Sequence, residues 1–322
     1  MKHLTKIETA RWLAGHDDYC IITHRRPDGD TLGSSAALCR VLRGMGKSAH
    51  ILANPEMTDK YRALHEGLTS GAVAPGATVV SVDLAAETMF PASCADLTDR
   101  VELLIDHHGS NSGYAREGLV EENTAACGEI IYDLMLELGA EMTTEIAEAI
   151  YTAVSTDTGC FRYSNTTAHS HAVAGRMIAA GCDFKMINRV MFEIKSQSRI
   201  AMEKEVLATM EYHFNKKVAL VYITRDMMER TGALDSELEE IASMPRQIEG
   251  VLVGATLRQR DDGYKISLRS GEEIDSAAIC GKLGGGGHRC AAGCFVKGNL
   301  EHAKKEILAV VGETLGYGEE KC

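Results

Sequence analysis

Short apolar runs that alternate with helical patterns constrain most strongly how the first half of this chain can fold. Residues 19–23 (YCIIT), 78–82 (TVVSV) and 101–105 (VELLI) are runs of β-forming residues. Between the first two runs, apolar residues recur at helical spacing over residues 33–45. Strands that alternate with helices predict a parallel sheet with helices on both faces. We therefore expect an α/β fold.

Each of the three runs leads into aspartate or histidine. His24 follows the first run, Asp83 the second, and residues 106–108 (DHH) the third. The loop after His24 adds Asp28 and Asp30. In open α/β sheets, ligands bind at the carboxyl ends of the strands. These side chains are therefore predicted to meet at one edge of the sheet.

The residue types in this cluster favour a metal centre. A lone aspartate after a strand is usually a turn residue or a helix N-cap, and Asp30 alone would fit that description. Here three strand ends contribute, and so does the end of a helix expected over residues 143–154, which leads to Asp157. Mixed carboxylates and imidazoles suit Mn²⁺, Fe²⁺, Co²⁺ or Zn²⁺ better than Ca²⁺. The number of ligands predicts two ions about 3.5–4 Å apart, and without metal the carboxylates would repel one another.

Composition limits the partners and the compartment. The formal net charge is −12, and the sequence has no basic run. Long nucleic acids are usually held by a broad basic surface, so a partner of that kind is not expected. We also expect no signal peptide and no membrane span. Ten scattered cysteines without CxxC pairs indicate free thiols in a reducing cytoplasm.

The pattern changes after about residue 185. A charged helix is expected over residues 186–212, and a strand at 218–223 begins a second unit. Residues 248–259 and 263–270 are typical of paired strands joined by an Asp-Asp-Gly turn, and a last helix is expected over 299–314. The predicted organisation is an α/β domain with a parallel sheet (1–185), a helical linker (186–215) and a smaller α/β domain with a mixed sheet (216–322).

A glycine-rich segment, GGGGHRCAAG at residues 284–293, permits two interpretations. Four glycines can form a flexible turn. Glycine also exposes backbone N–H groups and allows an anion to approach closely, and His288 and Arg289 follow directly. The segment is not a P-loop, because no GK[ST] follows it. We favour an anion pocket.

Together these segments resemble the motifs of the DHH phosphoesterase family. HRRPDGDTLGS resembles the first motif, VDL the second, DHHGSN the third and STDTGCFRYSNTT the fourth. GGGGHRCAAG resembles the signature of the DHH-associated C-terminal domain. The motifs follow the family order over residues 24–293 and are most similar to the nanoRNase/pAp-phosphatase branch. The resemblance implies a parallel-sheet catalytic domain, a smaller C-terminal domain and a cleft between them.

The resemblance implies ligands for two divalent metal ions. His24, Asp28 and Asp83 would hold one ion, and Asp83 would also bridge to the other. The remaining ligands of the second ion would be Asp30, His107 and Asp157. Mn²⁺ is the expected metal, with Mg²⁺ and Co²⁺ as alternatives.

The resemblance also implies roles for residues around the metals. His108 would contact the scissile phosphate, and Asp106 would orient the neighbouring imidazoles. The residues that would bind the rest of the substrate are Arg269, Gly286, Gly287 and His288 in the C-terminal domain, and Arg162 and Tyr163 in the fourth motif.

The implied activity is metal-dependent hydrolysis of short oligonucleotides (nanoRNA) to mononucleotides, by water that two metal ions activate. A second candidate substrate is 3′-phosphoadenosine 5′-phosphate (pAp), which would yield AMP. The expected partners are short RNA or DNA oligonucleotides or small nucleotides, and a homodimer is compatible with this activity.

The main alternative is a phosphodiesterase for cyclic or linear dinucleotides. Membrane-anchored family members with that role carry N-terminal spans, which this sequence lacks. A long-strand exonuclease should be longer and more basic. A DHH pyrophosphatase has a different C-terminal domain, without the glycine-rich segment. A more remote alternative is a nucleotide-binding module without turnover, which should have lost ligands. A third class is a scaffold protein with a structural metal site. Structural sites usually contain cysteine ligands, and the predicted cluster contains none.

Overall fold

The computed structural model describes residues 1–238 and 241–317. The chain divides into two compact units, with the boundary between Ile194 and Lys195. In the described residues, no helix combines the length and the hydropathy that a membrane crossing requires.

The first unit contains a parallel sheet of seven strands. Their spatial order is β1-β7-β6-β5-β2-β3-β4, and every neighbouring pair is parallel. The α/β prediction with a parallel sheet is therefore confirmed. The strands are β1 (Lys2–His3), β2 (Tyr19–Ile22), β3 (Ala49–Leu52), β4 (Thr69–Ser70), β5 (Thr78–Val82), β6 (Val101–Asp106) and β7 (Glu117–Val120).

Helices join these strands and supply much of the core. β2 and β5 are buried along their whole length, as near-continuous apolar runs in a parallel sheet should be. A 3₁₀ helix, Asp59–His65, lies between β3 and β4. The α-helices are α1 (Lys6–Gly15), α2 (Gly29–Gly44), α3 (Cys127–Glu137), α4 (Thr144–Asp157), α5 (Ala168–Ala179) and α6 (Phe184–Asn188).

Two glycines on α2 allow it to lie directly against α4. A Cβ at Gly33 would overlap the backbone oxygen of Ala149, and a Cβ at Gly29 would overlap the side chain of Thr156. These contacts run in opposite directions along the two helices, so the start of α2 lies beside the end of α4. This packing brings the aspartates at those two ends together.

The helix expected over residues 186–212 is interrupted. After α6, one π-helical turn spans Arg189–Glu193, and Ile194 is extended. A new helix, α7 (Gln197–Ala208), then begins because the Ser196 hydroxyl accepts a hydrogen bond from the Arg199 backbone N–H. The segment is therefore a series of short helices.

The second unit contains a mixed sheet of six strands in the order β12-β13-β11-β10-β9-β8. β9 and β10 are parallel, and the other pairs are antiparallel. The predicted smaller α/β unit with a mixed sheet is confirmed. Its strands are β8 (Glu211–His213), β9 (Val218–Ile223), β10 (Val253–Gln259), β11 (Gly263–Ser270), β12 (Gly286–His288) and β13 (Ala291–Lys297). Its further helices are α8 (Arg225–Thr231), α9 (Ser276–Gly281) and α10 (Leu300–Thr314).

Candidate metal centre and active site

A first group of potential metal ligands lies where β2 and β5 end. It consists of His24, Asp28 and Asp83, whose ligand atoms all lie within 4.8 Å of one another. The His24 Nε2 atom is 3.6 Å from Asp28 Oδ1 and 3.8 Å from Asp83 Oδ2. Asp28 is exposed and Asp83 is buried, so the group faces outward from the sheet edge.

A second group adjoins the first. Asp30, His107 and Asp157 also place their ligand atoms within 4.8 Å of one another. The His107 Nε2 atom is 3.7 Å from Asp30 Oδ2, 3.8 Å from Asp157 Oδ2 and 3.4 Å from Asp83 Oδ1. Asp83 thus lies between the two groups, with one carboxylate oxygen towards each histidine. All six residues that the sequence marks as ligands meet here.

Asp83 is held under conditions that call for a cation. Its side chain is 3% exposed, and its Oδ1 atom has no hydrogen-bond partner among the described residues. Burial, together with the charges of Asp30 and Asp28, raises the pKa of Asp83 well above its ordinary value. Its backbone is also in the left-handed region, at φ 57°. Strained backbone and an unsatisfied buried carboxylate are both costly, and they occur together where a site needs them.

Asp28 and Asp30, at the start of α2, have different hydrogen-bond partners and therefore different roles. The Asp28 Oδ1 atom accepts hydrogen bonds from the backbone N–H groups of Asp30 and Thr31, so Asp28 is the N-cap of α2. Asp30 is therefore not the N-cap that its sequence position allowed. Its carboxylate instead accepts bonds from the backbone N–H groups of Cys127 (2.6 Å) and Gly128 (3.0 Å), at the start of α3. A helix N-terminus stabilises that negative charge.

Backbone carbonyls determine which nitrogen His24 and His107 present to the carboxylates. The Nδ1 atom of His24 is 2.8 Å from the carbonyl oxygen of Arg25, and that of His107 is 3.1 Å from the carbonyl oxygen of Thr124. A carbonyl only accepts, so Nδ1 carries the proton in both rings and Nε2 is left as a lone-pair donor. Each Nε2 faces the carboxylates, as a metal ligand must.

His108 differs from its neighbour. Its Nδ1 atom is 2.7 Å from Asp106 Oδ1, and its side chain is 38% exposed. Asp106 is fully buried and also accepts from the His107 backbone N–H and from Asn111 Nδ2. Asp106 thus touches one imidazole, that of His108, whereas Thr124 orients the ring of His107. Although burial opposes the shift, the hydrogen bond from His108 lowers the pKa of Asp106, and the same bond raises the pKa of His108.

The charge balance of the cluster fits divalent cations. Burial and the nearby carboxylate of Asp30 raise the pKa of Asp157 to about 8. Burial lowers the pKa of His24, but the contact with Asp28 outweighs it and the net change is upward. The raised pKa values of these carboxylates and of His24 both indicate that the cluster has too little positive charge at its centre. An oxygen and nitrogen donor set around an unsatisfied central carboxylate fits one or two such ions.

The fourth motif forms a turn directly after Asp157. Three consecutive residues, Gly159, Cys160 and Phe161, are in the left-handed region, with φ between 56° and 62°. The Arg162 Nε atom donates to the carbonyl oxygen of Gly159 at 2.6 Å. The ring of Tyr163 lies where a Cβ of Gly159 would be, and this side chain is 59% exposed. Arg162 and Tyr163 are therefore close to the cluster along the chain, with the tyrosine ring open to solvent.

Polar residues that the sequence did not mark fix the ends of these segments. Asn54 Nδ2 donates to the carbonyl oxygen of His24, and Asn165 Nδ2 donates to that of Asp157. The Thr31 hydroxyl donates to the carbonyl oxygen of Val82, which ties α2 to β5. Asn111 and Asn165 lie inside quoted motifs and could have been singled out there. Asn54 carries no local signal.

In the second unit, register brings together residues that are far apart in sequence. Arg269 on β11 pairs with Ala291 on β13, and Ala291 pairs with His288 on β12. Directly opposite residues of antiparallel strands share a face, so Arg269 and His288 lie on one face with a small side chain between them. Arg289 does not join them, because its Nε atom donates to the Glu272 carbonyl oxygen.

The glycines of the glycine-rich segment (residues 284–293) have different structural roles. A Cβ at Gly285 would overlap the backbone oxygen of Gly293, and a Cβ at Gly287 would lie 2.6 Å from the carbonyl oxygen of Ala291. Gly287 also has φ 146°. These two glycines therefore let β12 lie against β13. Gly286 is exposed, and a Cβ there would have no described atom within 4 Å, so packing gives no reason for glycine at this position.

Comparisons with known proteins agree on one family. The family description "DHH family, N-terminal domain" matches residues 18–154, and "DHHA1 domain" matches residues 215–316. The chain is 34% identical over 300 residues to the bifunctional oligoribonuclease and PAP phosphatase NrnA of Thermus thermophilus, with 92% of this chain and 89% of the relative covered. It is 27% identical over 299 residues to the protein of that name from Bacillus subtilis, with 90% and 93% covered.

A solved structure shows the same fold. The chain matches the crystal structure of an exopolyphosphatase-related protein from Bacteroides fragilis with a TM-score of 0.82. The match covers 96% of each chain at 24% sequence identity. This likeness extends through both units.

Proposed function

The chain belongs to the DHH family, and from this premise we propose that it is a phosphoesterase that hydrolyses short oligonucleotides to mononucleotides and pAp to AMP. The motifs predict the same family, and the family matches confirm that prediction. The observation that carries the activity is the pair of potential ligand groups on either side of Asp83, with the partly exposed His108 beside them. The names of the relatives, oligoribonuclease and PAP phosphatase, support these two substrates.

In this proposal the six clustered residues hold two divalent cations. His24, Asp28 and Asp83 hold one, and Asp83 contributes to the other. The further ligands of the second cation are Asp30, His107 and Asp157. When bound, two such ions lower the pKa of water towards neutrality and neutralise charge on a phosphate. Mn²⁺ suits the mixed imidazole and carboxylate donors best, and Mg²⁺ and Co²⁺ are the alternatives.

His108 acts on the phosphate in this proposal. With Nδ1 committed to Asp106, its Nε2 atom is available to an anionic oxygen. The raised pKa of His108 favours the imidazolium form, in which Nε2 donates a charge-assisted hydrogen bond. Donors aimed at developing negative charge are typically worth about 10²–10³ in rate.

The remaining substrate contacts come from two places. Tyr163 offers an exposed ring on which a nucleobase can stack, and Arg162 lies next to it. In the second unit, Arg269 and His288 provide positive or hydrogen-bonding groups on one face, and Gly286 and Gly287 lie on β12, the edge strand of that sheet. We propose that these residues bind a second phosphate or the distal nucleotide, which restricts the enzyme to short substrates. Few phosphate contacts are compatible with the net charge of −12.

We also propose that the protein works in the cytoplasm. The nine cysteines in the described part of the chain are free, which suits a reducing cytoplasm. Small nucleotides and short RNA or DNA oligonucleotides are the proposed partners.

One experiment tests the activity. Purified protein with Mn²⁺ is offered a labelled diribonucleotide, a 24-nucleotide RNA, pAp and cyclic di-AMP in parallel. We expect rapid turnover of the dinucleotide and of pAp, slow turnover of the 24-mer, and no turnover after exhaustive chelation. Asp83→Asn should be inactive, whereas Asp99→Asn, at an exposed carboxylate on the same unit, should match the wild type. Preference for cyclic di-AMP would instead identify a cyclic-dinucleotide phosphodiesterase.

A further inference from the structure

The buried carboxylate of Asp106 is shared between a candidate catalytic group and a residue with no assigned role. Its Oδ1 atom accepts from His108 Nδ1 at 2.7 Å and from the His107 backbone N–H at 2.8 Å. Its Oδ2 atom accepts from Asn111 Nδ2 at 2.6 Å. Asp106 is fully buried, so a lost hydrogen bond there would not be replaced easily by water.

Both polar atoms of the Asn111 side-chain amide, Nδ2 and Oδ1, make further hydrogen bonds. Besides Asp106, its Nδ2 atom reaches the carbonyl oxygen of Leu84 at 3.3 Å. Its Oδ1 atom accepts from the Gly113 backbone N–H at 2.8 Å. Leu84 directly follows Asp83, so Asn111 connects the end of β5 with the end of β6. The amide cannot rotate without breaking one of these bonds.

The position of His108 determines what this arrangement can do. His108, Asn111 and Gly109 line a cleft of about 400 Å³, together with Ser112 and Glu122. Asp106 lies behind the imidazole, away from solvent. The contacts therefore run from the Asn111 amide through the Asp106 carboxylate to the His108 imidazole, and both Asn111 and His108 line the cleft. A ring held by Nδ1 in this way presents Nε2 as its free nitrogen.

We propose that Asn111 is a positioning residue for the phosphoesterase reaction, which acts through Asp106 to hold His108 in the orientation that meets the substrate phosphate. This inference rests on the proposed function for its catalytic consequence. Its structural part, the fixed ring and tautomer of His108, does not. By occupying Oδ2, Asn111 directs Oδ1 towards the imidazole and prevents the carboxylate from turning. Groups of this kind typically contribute about 10- to 100-fold to activity.

The competing explanation is that Asn111 only shapes its loop. The bond from Gly113 N–H to Asn111 Oδ1 closes an Asx turn, and Gly113 has φ 68°. Two variants separate these roles. Asn111→Ser can still cap the turn through its hydroxyl, but it is too short to reach Asp106. Asn111→Ala removes both bonds. Ser110→Ala is the matched control, because Ser110 directly precedes Asn111, its side chain is exposed, and it is not among the residues that line this cleft.

The kinetic test is a double-mutant cycle with His108→Ala. We expect Asn111→Ser and Asn111→Ala each to lower kcat by about 10- to 100-fold while KM and metal content stay near the wild-type values. In the His108→Ala background, the same changes should have no further effect, since the group they position is gone. Wild-type kcat in Asn111→Ser, or an equal loss with and without His108, would overturn the proposal.

A spectroscopic test does not depend on turnover. At a pH above the raised pKa of His108, where the imidazole is neutral, long-range ¹⁵N–¹H spectra of the Mg²⁺-loaded protein should show His108 with its proton on Nδ1 in the wild type and in Ser110→Ala. In Asn111→Ser, the His108 signals should broaden or shift towards a mixture of tautomers, while thermal unfolding remains cooperative. Unchanged His108 signals in that variant would refute the positioning role even if the enzyme is active. If the wild type hydrolysed none of the four substrates, the proposed function would fail while this spectroscopic result could still stand.

Discussion

His107 and His108 are neighbours in the chain, yet their Nδ1 atoms bond to acceptors of different charge. His107 is bound to a neutral backbone carbonyl at Thr124, and His108 to the carboxylate of Asp106. Their ring centroids are 4.5 Å apart. The less exposed ring, that of His107, faces the carboxylate cluster, and the more exposed ring, that of His108, faces a cleft. Adjacent residues of the same type are thus suited to different tasks.

The first prediction separates these tasks. His107→Ala should lower the metal content and the activity together, because it removes a proposed ligand of the second cation. His108→Ala should retain metal and lower kcat by about 10²–10³, the loss typical of a group that stabilises transition-state charge. Metal analysis and steady-state kinetics on the two purified variants measure this. Loss of metal from His108→Ala with full occupancy in His107→Ala would reverse the two roles.

The second prediction concerns the unsatisfied buried charge. Asp83→Asn removes one negative charge from the centre of the cluster at nearly constant volume. We expect the metal-free variant to melt at a higher temperature than metal-free wild type, because repulsion with Asp30 and Asp28 is relieved. Addition of Mn²⁺ should raise the melting temperature of the wild type far more than that of the variant. A variant that is less stable without metal would argue against stored repulsion at this site.

The third prediction is a pH dependence of the metal-free protein. Asp157, with its pKa raised from 3.8 to about 8, keeps a proton in the folded state that the unfolded chain has already lost. The folded state therefore binds more protons between about pH 4 and 8, and the free energy of unfolding falls as pH rises through this window. The raised pKa values of His24 and His108 act in the same direction above pH 6.5.

Denaturant titrations in EDTA at several pH values measure this slope. Asp157→Asn should flatten it, and saturating Mn²⁺ should reverse or abolish it, because the ion favours the deprotonated carboxylates. Constant stability of the metal-free wild type from pH 5 to 8 would contradict the prediction. The exposed carboxylate of Asp99 provides a control, since Asp99→Asn should leave the slope unchanged.

The fourth prediction tests the packing that brings Asp30 to Asp157. Gly33→Ala would force α2 away from the Ala149 backbone, at a cost of about 1–3 kcal/mol in unfolding free energy. The affinity for metal should also fall, because the proposed ligands Asp30 and Asp157 lie on α2 and α4, which the substitution would push apart. Gly44→Ala, on the same helix with no described atom near the added carbon, should be neutral or stabilising by up to about 1 kcal/mol. Chemical denaturation and Mn²⁺ titration distinguish the two variants.

The sequence was informative about which residues meet and less informative about how they are held. His24, Asp83 and Asp106 could be placed because they follow apolar runs whose carboxyl ends share an edge in a parallel sheet. The acceptor for the His107 imidazole could not be placed, since Thr124 reaches His107 through folding of a loop that has no local pattern. Sequence periodicity also cannot show where a charged segment breaks, as it does at Ile194.

Register is a further limit on prediction from the sequence. Arg269 and His288 are 19 residues apart in the chain, and only the pairing of both with Ala291 shows that they share a face. That pairing depends on Gly285 and Gly287, whose absent side chains let β12 approach β13. The sequence alone favoured an anion pocket for all four glycines, whereas packing accounts for two of them.

The last prediction concerns this pair in the second unit and depends on the substrate used. If Arg269 and His288 bind a phosphate or nucleotide beyond the scissile bond, Arg269→Ala and His288→Ala should lower kcat/KM for dinucleotides and pAp. Loss of a charge-assisted hydrogen bond of roughly 1.5–3 kcal/mol corresponds to about ten- to a hundredfold. Bis-p-nitrophenyl phosphate has no distal nucleotide, so its hydrolysis should change much less. Arg289→Ala is the matched control, because Arg289 follows His288 directly but is engaged with Glu272. Equal losses on both substrate types, or none on either, would mean that this face does not bind the substrate.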